Sequence, residues 1–349
     1  MANSRELVDV LISARVTAQQ LKRMQAIHPR LVIHGEPGGI AIMPPAEAAA
    51  HGIDVSWLEY PEFRPDLDYA GLLARAEVLV AHRIPSDLVA RAPHLRWIQF
   101  TSAGVDHLWH PSLGEPHLTV TSAKGIHAYP MAEFVISCLL VFTKDWRRLL
   151  RQQNEHRWNR FVLEEVYGKT IVLLGVGEIA KGIARLAKVF GMHVIGVRRR
   201  ESSEGLPPEL DEHFSVSALE QLLPRGDYIV ASLPLTAKTR GLLNEKAFRA
   251  MKRSAIFVNV GRGRTVDQKA LVRALQEEWI AGAALDVFER EPLSPDDPIW
   301  DVPNLLVSPH MGPDTPMYME RMTDLLCDQL LRYAGSRPLR NVVDPQEGY

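Results

Sequence analysis

The chain has 349 residues, of which 46% are hydrophobic, and its formal net charge at pH 7 is −2. This length suits two domains, and the balanced charge excludes the strong basic field typical of nucleic-acid-binding proteins. The polar N-terminus has no signal-peptide core, the longest apolar run is too short to span a bilayer, and Cys138 and Cys327 are the only cysteines. We therefore expect a cytoplasmic protein with reduced core thiols, no metal site, and neither nucleic acid nor membrane as a partner.

Apolar runs in the first third of the chain predict four strands, over residues 7–12, 77–82, 96–100 and 119–121. The third of these strands leads into a turn of small residues that contains Ala103, Gly104 and Val105. Exposed backbone N–H groups in such a turn can hold a carboxylate without a charged side chain. Residues 130–150 then predict one long helix that leads into a second domain.

Six further apolar runs alternate with helix-like stretches, over residues 171–174, 192–197, 228–232, 255–260, 281–287 and 305–308. Alternation of this kind predicts a doubly wound parallel sheet, with ligands bound outside the carboxyl ends of its strands. Residues 314–333 are again helical and are expected to return to the first domain.

The first strand of this second domain runs into the turn Gly175-Val176-Gly177-Glu178-Ile179-Ala180. Glycines there allow a tight turn and close approach of the backbone to a pyrophosphate, which rests on the N-terminus of the following helix. The third position needs only a small residue, and Ala180 is small. Because strand and helix flank the turn at the right spacing, the sequence predicts dinucleotide binding.

The end of the second strand indicates which dinucleotide is preferred. Sites for NAD place Asp or Glu there to accept hydrogen bonds from the ribose 2′-hydroxyl. This chain has Arg198, Arg199 and Arg200 instead, followed by Ser202 and Ser203. Arginines attract a 2′-phosphate, so we expect NADP to be preferred, with NAD also possible.

Three side chains that follow later strands could together bind a carboxylate group and transfer a proton: Arg262, Glu291 and His310. An arginine can hold a carboxylate with two parallel hydrogen bonds. A histidine exchanges protons near neutral pH, and a neighbouring glutamate favours its charged form. Asp286 ends its own strand and is expected either to accept a hydrogen bond from a nicotinamide carboxamide or to tune His310.

With these motifs in view, the chain resembles the D-isomer-specific 2-hydroxyacid dehydrogenase family over nearly its whole length. The resemblance implies two doubly wound Rossmann-like domains, with the cofactor domain (126–319) inserted into a discontinuous flavodoxin-like substrate domain (1–125 and 320–349). It implies that Arg262 and the amides of Ala103, Gly104 and Val105 bind substrate. It further implies cofactor contacts from the following residues: Gly175, Gly177, Glu178, Ile179, Arg198, Arg199, Leu233, Pro234, Thr239, Val260, Gly261, Arg262, Asp286, His310 and Gly312.

The family implies hydride transfer from NAD(P)H to a small 2-oxo acid, in a homodimer built through residues 131–158. The arginine run favours the glyoxylate/hydroxypyruvate reductase branch. Within the family, formate oxidation is associated with glutamine at the position of Glu291, which argues against that activity here. The alternative is a non-catalytic, NAD(P)-sensing protein of the corepressor kind that keeps the same side chains.

Overall fold

The computed structural model describes residues 7–38, 68–106, 108, 110–199 and 206–345. By its internal contacts the chain divides into two compact units, Met1–Ile126 with Pro316–Tyr349, and His127–Thr315. In the described part of the chain, the helices are too short or too polar to cross a membrane.

The first unit contains a five-stranded parallel sheet in the order β2-β1-β3-β4-β5, which is the flavodoxin-like arrangement. Its strands are β1 (Val8–Ile12), β2 (Leu31–His34), β3 (Val78–Ala81), β4 (Trp97–Phe100) and β5 (Thr119–Thr121). The sequence did not predict β2, because it is a run of only four residues that ends in a histidine. Both faces of the sheet are buried, so most residues of its strands are apolar.

The helices of the first unit are α1 (Ala18–Gln25), α2 (Tyr69–Arg75) and α3 (Leu88–Arg91), and its last helix, from the C-terminal part of the chain, is Tyr318–Ala334. Helix α1 begins at a capping box, in which Thr17 and Gln20 each accept from the other's backbone N–H. The last helix buries Met322, Leu326 and Leu330 in one core with Val10 and Ile12, so the C-terminal chain does return to the first unit.

The second unit contains a seven-stranded parallel sheet in the order β12-β11-β10-β9-β6-β7-β8. Its strands are β6 (Thr170–Leu174), β7 (His193–Arg198), β8 (Glu212–Ser215), β9 (Tyr228–Ala231), β10 (Ile256–Asn259), β11 (Gly282–Leu285) and β12 (Leu305–Val307). The strand order reverses between β6 and β9, which is where a Rossmann-type sheet binds its dinucleotide. The prediction of six strands missed β8, because this edge strand is polar and only half-buried.

The helices of the second unit are α4 (Ala128–Thr143), α5 (Trp146–Asn154), α6 (Glu178–Val189), α7 (Leu219–Leu222), α8 (Glu245–Ala250) and α9 (Gln268–Gln276), and Tyr318–Ala334 of the first unit is α10. The prediction of a single helix over residues 130–150 is wrong. The chain breaks at Asp145, which adopts a left-handed conformation with φ 46° and caps α5 by accepting from the Arg148 N–H. The two doubly wound parallel sheets otherwise confirm the predicted fold class.

Candidate active site

The predicted glycine turn lies at the carboxyl end of β6, beside the point where the strand order reverses. Gly175 has φ +93°, in the left-handed region that glycine adopts readily, and it packs on the backbone of Ser232. Gly177 is the N-cap of α6, and a Cβ placed on it would meet nothing within 4 Å. Glu178 and Ile179 form the first turn of that helix. This open helix N-terminus fits a pyrophosphate.

Close packing of the helix after this turn depends on Gly182, a glycine that was not among the predicted residues. A Cβ on Gly182 would lie 2.6 Å from the carbonyl oxygen of Ala128, so only glycine lets α6 approach α4 this closely. In the familiar dinucleotide fingerprint the third glycine serves close packing. Here Ala180 is buried in the core at the third position, and Gly182 provides the closest approach.

Arg198 ends β7, at the position predicted to face a 2′-phosphate. Its Nη2 donates to Nε2 of His213 on β8 at 3.4 Å, and its Nε is buried without a hydrogen-bond partner among the described residues. A buried guanidinium nitrogen in need of an acceptor fits a phosphate oxygen. Arg199 is exposed beside it. Arg200, Ser202 and Ser203 lie outside the described residues.

The loop after β9 contains the predicted residues Leu233, Pro234 and Thr239. The Thr239 hydroxyl donates to the carbonyl oxygen of Pro234 at 2.6 Å and accepts from the Thr236 N–H at 2.8 Å. Thr239 therefore fixes the shape of this loop through its own side chain. The loop then packs directly on the next one, since a Cβ on Gly261 would lie 2.6 Å from the carbonyl oxygen of Leu233.

Arg262 follows β10 and Val260, in a loop whose backbone is hydrogen-bonded to the side chain of Asn259. The buried Asn259 side chain accepts from the Gly261 N–H at 3.1 Å and donates to the Arg262 carbonyl oxygen at 3.2 Å. The Thr265 hydroxyl donates to the same carbonyl oxygen at 2.6 Å. These bonds fix the backbone of Arg262, whose guanidinium donates to the Gly261 carbonyl oxygen at 2.9 Å. Asn259 was not predicted to have this role, and its place in the motif is the one signal that points to it.

Glu291 and His310 form a pair, with Oε2 of the glutamate 2.7 Å from Nδ1 of the histidine. The second carboxylate oxygen, Oε1, accepts from the Phe288 N–H at 2.8 Å. The hydrogen bond to Glu291 raises the pKa of His310 above its usual value, against burial and the charge of Arg262. Burial alone would raise the pKa of Glu291, but the hydrogen bonds from His310 and Phe288 outweigh it and lower that pKa. The pair therefore favours imidazolium and carboxylate.

Asp286 holds the loop that carries His310. This carboxylate is only 1% exposed, and its Oδ1 accepts from the Ser308 hydroxyl at 2.6 Å and from the N–H groups of Met311 and Gly312 at 3.0 and 3.1 Å. Burial raises the pKa of Asp286, although these hydrogen bonds oppose the rise. His310 itself has φ +54°, a left-handed conformation that few residues other than glycine adopt. Three hydrogen bonds to one buried oxygen stabilise that loop.

The turn with Ala103, Gly104 and Val105 follows β4 in the first unit. Val105 is buried, and the Thr101 carbonyl oxygen before the turn accepts from the Tyr318 hydroxyl at 2.9 Å. Among the described residues, the backbone N–H groups of Ala103, Gly104 and Val105 donate no hydrogen bond. They are thus available to an anion. No group of His, Cys, Asp and Glu side chains in the described ranges could hold a metal ion.

Comparison with known proteins matches residues 136–312 to the family model described as D-isomer specific 2-hydroxyacid dehydrogenase, NAD binding domain. A glyoxylate reductase from Aeropyrum pernix is 34% identical over 294 residues, which are 79% of this chain and 86% of that protein. A D-isomer specific 2-hydroxyacid dehydrogenase from Xanthobacter autotrophicus, solved with NADPH and MES, superposes with a TM-score of 0.77 at 28% identity, over 99% of this chain and 100% of that one. An NADPH-dependent glyoxylate/hydroxypyruvate reductase from Sinorhizobium meliloti, solved with NADP and sulfate, gives 0.74 at 26% identity, with the same coverage.

Proposed function

The chain belongs to the D-isomer-specific 2-hydroxyacid dehydrogenase family and is an NAD(P)-dependent oxidoreductase, and we propose that it reduces a small 2-oxo acid of the glyoxylate or hydroxypyruvate type to the D-2-hydroxy acid. The observation that carries the proposal is the 2.7 Å contact between Glu291 and His310. A charged histidine at the carboxyl edge of the sheet is the acid that carbonyl reduction needs.

His310 delivers the proton. The dihydronicotinamide, when bound, supplies the hydride, and the substrate oxygen becomes negative as its carbon is reduced. Glu291 accepts the Nδ1–H bond and thereby leaves Nε2–H of the imidazolium as the donor to that oxygen. General acid catalysis of this kind contributes roughly 10²–10⁴-fold.

Arg262 binds the substrate carboxylate and stabilises the charge that develops on the neighbouring carbonyl oxygen. The side chains of Asn259 and Thr265 donate to its carbonyl oxygen, so the guanidinium is attached to a rigid backbone. We assign a second carboxylate contact to the backbone N–H groups of Ala103, Gly104 and Val105, because these N–H groups have no acceptor within the described residues.

NADP is the proposed cofactor. The residues that would hold it are the glycine turn with the first turn of α6 for the pyrophosphate, and Arg198 with Arg199 for the 2′-phosphate. The rest of the dinucleotide would be bordered by the loops that contain Leu233, Pro234, Thr239, Val260, Gly261 and Gly312. Asp286 and His310 would lie nearest the nicotinamide. Two structural neighbours were solved with NADPH or NADP, which supports the choice.

A homodimer is proposed from exposed apolar side chains of the second unit. Most of the apolar residues of α4, such as Val135 and Leu139, are buried in the core of their own unit. By contrast, α5 has no buried residue, and in the segment after it Trp158 and Val162 are 94% and 93% exposed. A second copy of the same surface is the simplest cover for such side chains.

The experiment that tests the proposed activity is a panel of 2-oxo acids assayed with NADPH and with NADH. Glyoxylate or hydroxypyruvate with NADPH should give the highest kcat/KM. If NADPH binds but no member of the panel is reduced, the non-catalytic sensor becomes the better account.

A further inference from the structure

The loop of Arg262 and the loop of Glu291 touch through their backbones at Gly263. A Cβ built on Gly263 would lie 1.9 Å from the carbonyl carbon of Phe288 and 2.0 Å from its oxygen. Gly263 has no positive φ, so its backbone conformation would accept other residues. The need for glycine here is therefore one of contact distance alone.

Gly263 packs against the Cα and the carbonyl group of Phe288, and the N–H group on the other side of that Cα fixes Glu291. Phe288 N–H donates to Oε1 of Glu291 at 2.8 Å, and Oε2 of the same carboxylate faces His310 Nδ1 at 2.7 Å. Held at both oxygens, the carboxylate has one orientation. A shift of the Phe288 Cα therefore displaces the N–H group that orients the carboxylate.

We propose that Gly263 is a positioning residue that sets the Phe288 backbone, and through the Phe288 N–H group Glu291, at the distance required to hold the proton on His310. The inference rests on the proposed roles of Glu291 and His310. It assigns to Gly263 a role in proton delivery that is separate from the carboxylate binding proposed for its neighbour Arg262.

The Gly263→Ala variant tests this coupling. The added Cβ must displace the Phe288 backbone by about 1 Å or more, because the packed loops leave no room for it. We expect Glu291 to move off His310, kcat/KM for the 2-oxo acid to fall on the order of 10²-fold, and the basic limb of its pH profile to move to lower pH.

The decisive readout is the titration of His310 by NMR in the protein without substrate, assigned by comparison with His310→Ala. The charged groups that act on His310 are Glu291, Asp286, Arg262 and Asp314. Gly263→Ala weakens the contact with the first of these, so the pKa of His310 should fall. An unchanged His310 titration in a folded Gly263→Ala variant overturns the inference. A wild-type protein that reduces no 2-oxo acid refutes the proposed function and leaves this titration readable.

Gly282→Ala is the matched control. Gly282 is buried on β11, and its added Cβ would lie 2.5 Å from Cε1 of Phe142, the far end of a side chain that can turn away. This variant should lower the melting temperature while the His310 titration stays at its wild-type position. If it shifts that titration as much as Gly263→Ala does, general loosening explains the effect and the inference fails.

A measurement on the unsubstituted protein decides the matter if Gly263→Ala does not fold. In the wild type, hydrogen exchange of the Phe288 amide should be slow, because the amide is bonded to Glu291 in a packed loop. Rapid exchange of that amide contradicts the proposed anchoring.

Discussion

The proton-handling pair is fixed by short hydrogen bonds to backbone as well as by its own contact. Glu291 was expected beside His310 from the family motif, and the 2.7 Å contact between them agrees with that expectation. The Phe288 N–H that orients the glutamate was not predicted, because a backbone donor has no signature in the sequence. Asn259 lies in the Arg262 motif, but its side chain bonds to backbone atoms of the loop, and no sequence pattern marks such bonds.

Glu291→Gln should move the basic limb of the reduction pH profile to lower pH. The contact with Glu291 raises the pKa of His310, and reduction requires protonated His310, so activity is lost as pH rises through that pKa. A neutral glutamine withdraws the charge, the pKa of His310 falls, and the loss begins earlier. Initial rates of NADPH oxidation across pH check this. A limb that stays in place shows that Glu291 is not the partner of the acid.

Replacing Arg198 and Arg199 together by glutamine should weaken NADPH binding by roughly 10- to 100-fold, because charge-assisted hydrogen bonds to the 2′-phosphate are lost. NADH affinity should remain within about twofold, since NADH has no such phosphate. Arg225→Gln is the control, because Arg225 pairs with Glu212 on the same edge of the sheet and has no proposed cofactor contact. Fluorescence titration with both dinucleotides gives the result. Equal losses for NADPH and NADH contradict the assignment.

At the scale of elements, the order of strands and helices followed from apolar periodicity, and the exceptions have physical causes. The polar edge strand β8 and the short strand β2 lack the apolar runs that predicted the others. The break between α4 and α5 depends on one left-handed residue, Asp145, in a stretch whose composition favours an unbroken helix. Only the structure reveals how Asp286 and the loop after β12 fit together.

Ser308→Ala should lower both stability and turnover. The hydroxyl bond to the buried Asp286 is lost, and hydrogen bonds to charged groups contribute roughly 1.5–3 kcal/mol. The loop then holds His310 less firmly, so kcat should fall several-fold. Thermal melts and steady-state kinetics measure the two effects. Ser137→Ala, which removes an exposed hydroxyl bonded within α4, should change neither. If Ser308→Ala behaves like Ser137→Ala, Asp286 does not hold this loop.

For the whole molecule, two doubly wound parallel sheets and membership of the dehydrogenase family were predictable from motifs spread along the chain. The strand order reverses beside the glycine turn, which is where the cofactor site is proposed. The substrate's remaining groups were not predictable, because the loops that would contact them carry no motif with a known chemical preference. The assembly depends on surface side chains and requires its own test.

The dimer should appear by light scattering as a mass about twice the 39.2 kDa of the chain at micromolar concentration. Trp158→Asp combined with Val162→Asp should shift the measured mass to that of the monomer, because both copies would have to bury the new charges at the interface. Leu7→Asp is the control, since Leu7 is similarly apolar and exposed but belongs to the first unit. A monomeric wild type rejects the dimer. A double variant that stays dimeric rejects this surface.

The most direct test of the proposed reaction is hydroxypyruvate reduction by the wild type and by His310→Ala, with NADPH oxidation and the chirality of the glycerate product measured together. Loss of the acid should lower kcat by roughly 10²–10⁴-fold, while the NADPH dissociation constant stays within about twofold. The wild type should form D-glycerate. A His310→Ala variant that turns over at the wild-type rate, or a wild type that forms L-glycerate, would contradict the proposed mechanism.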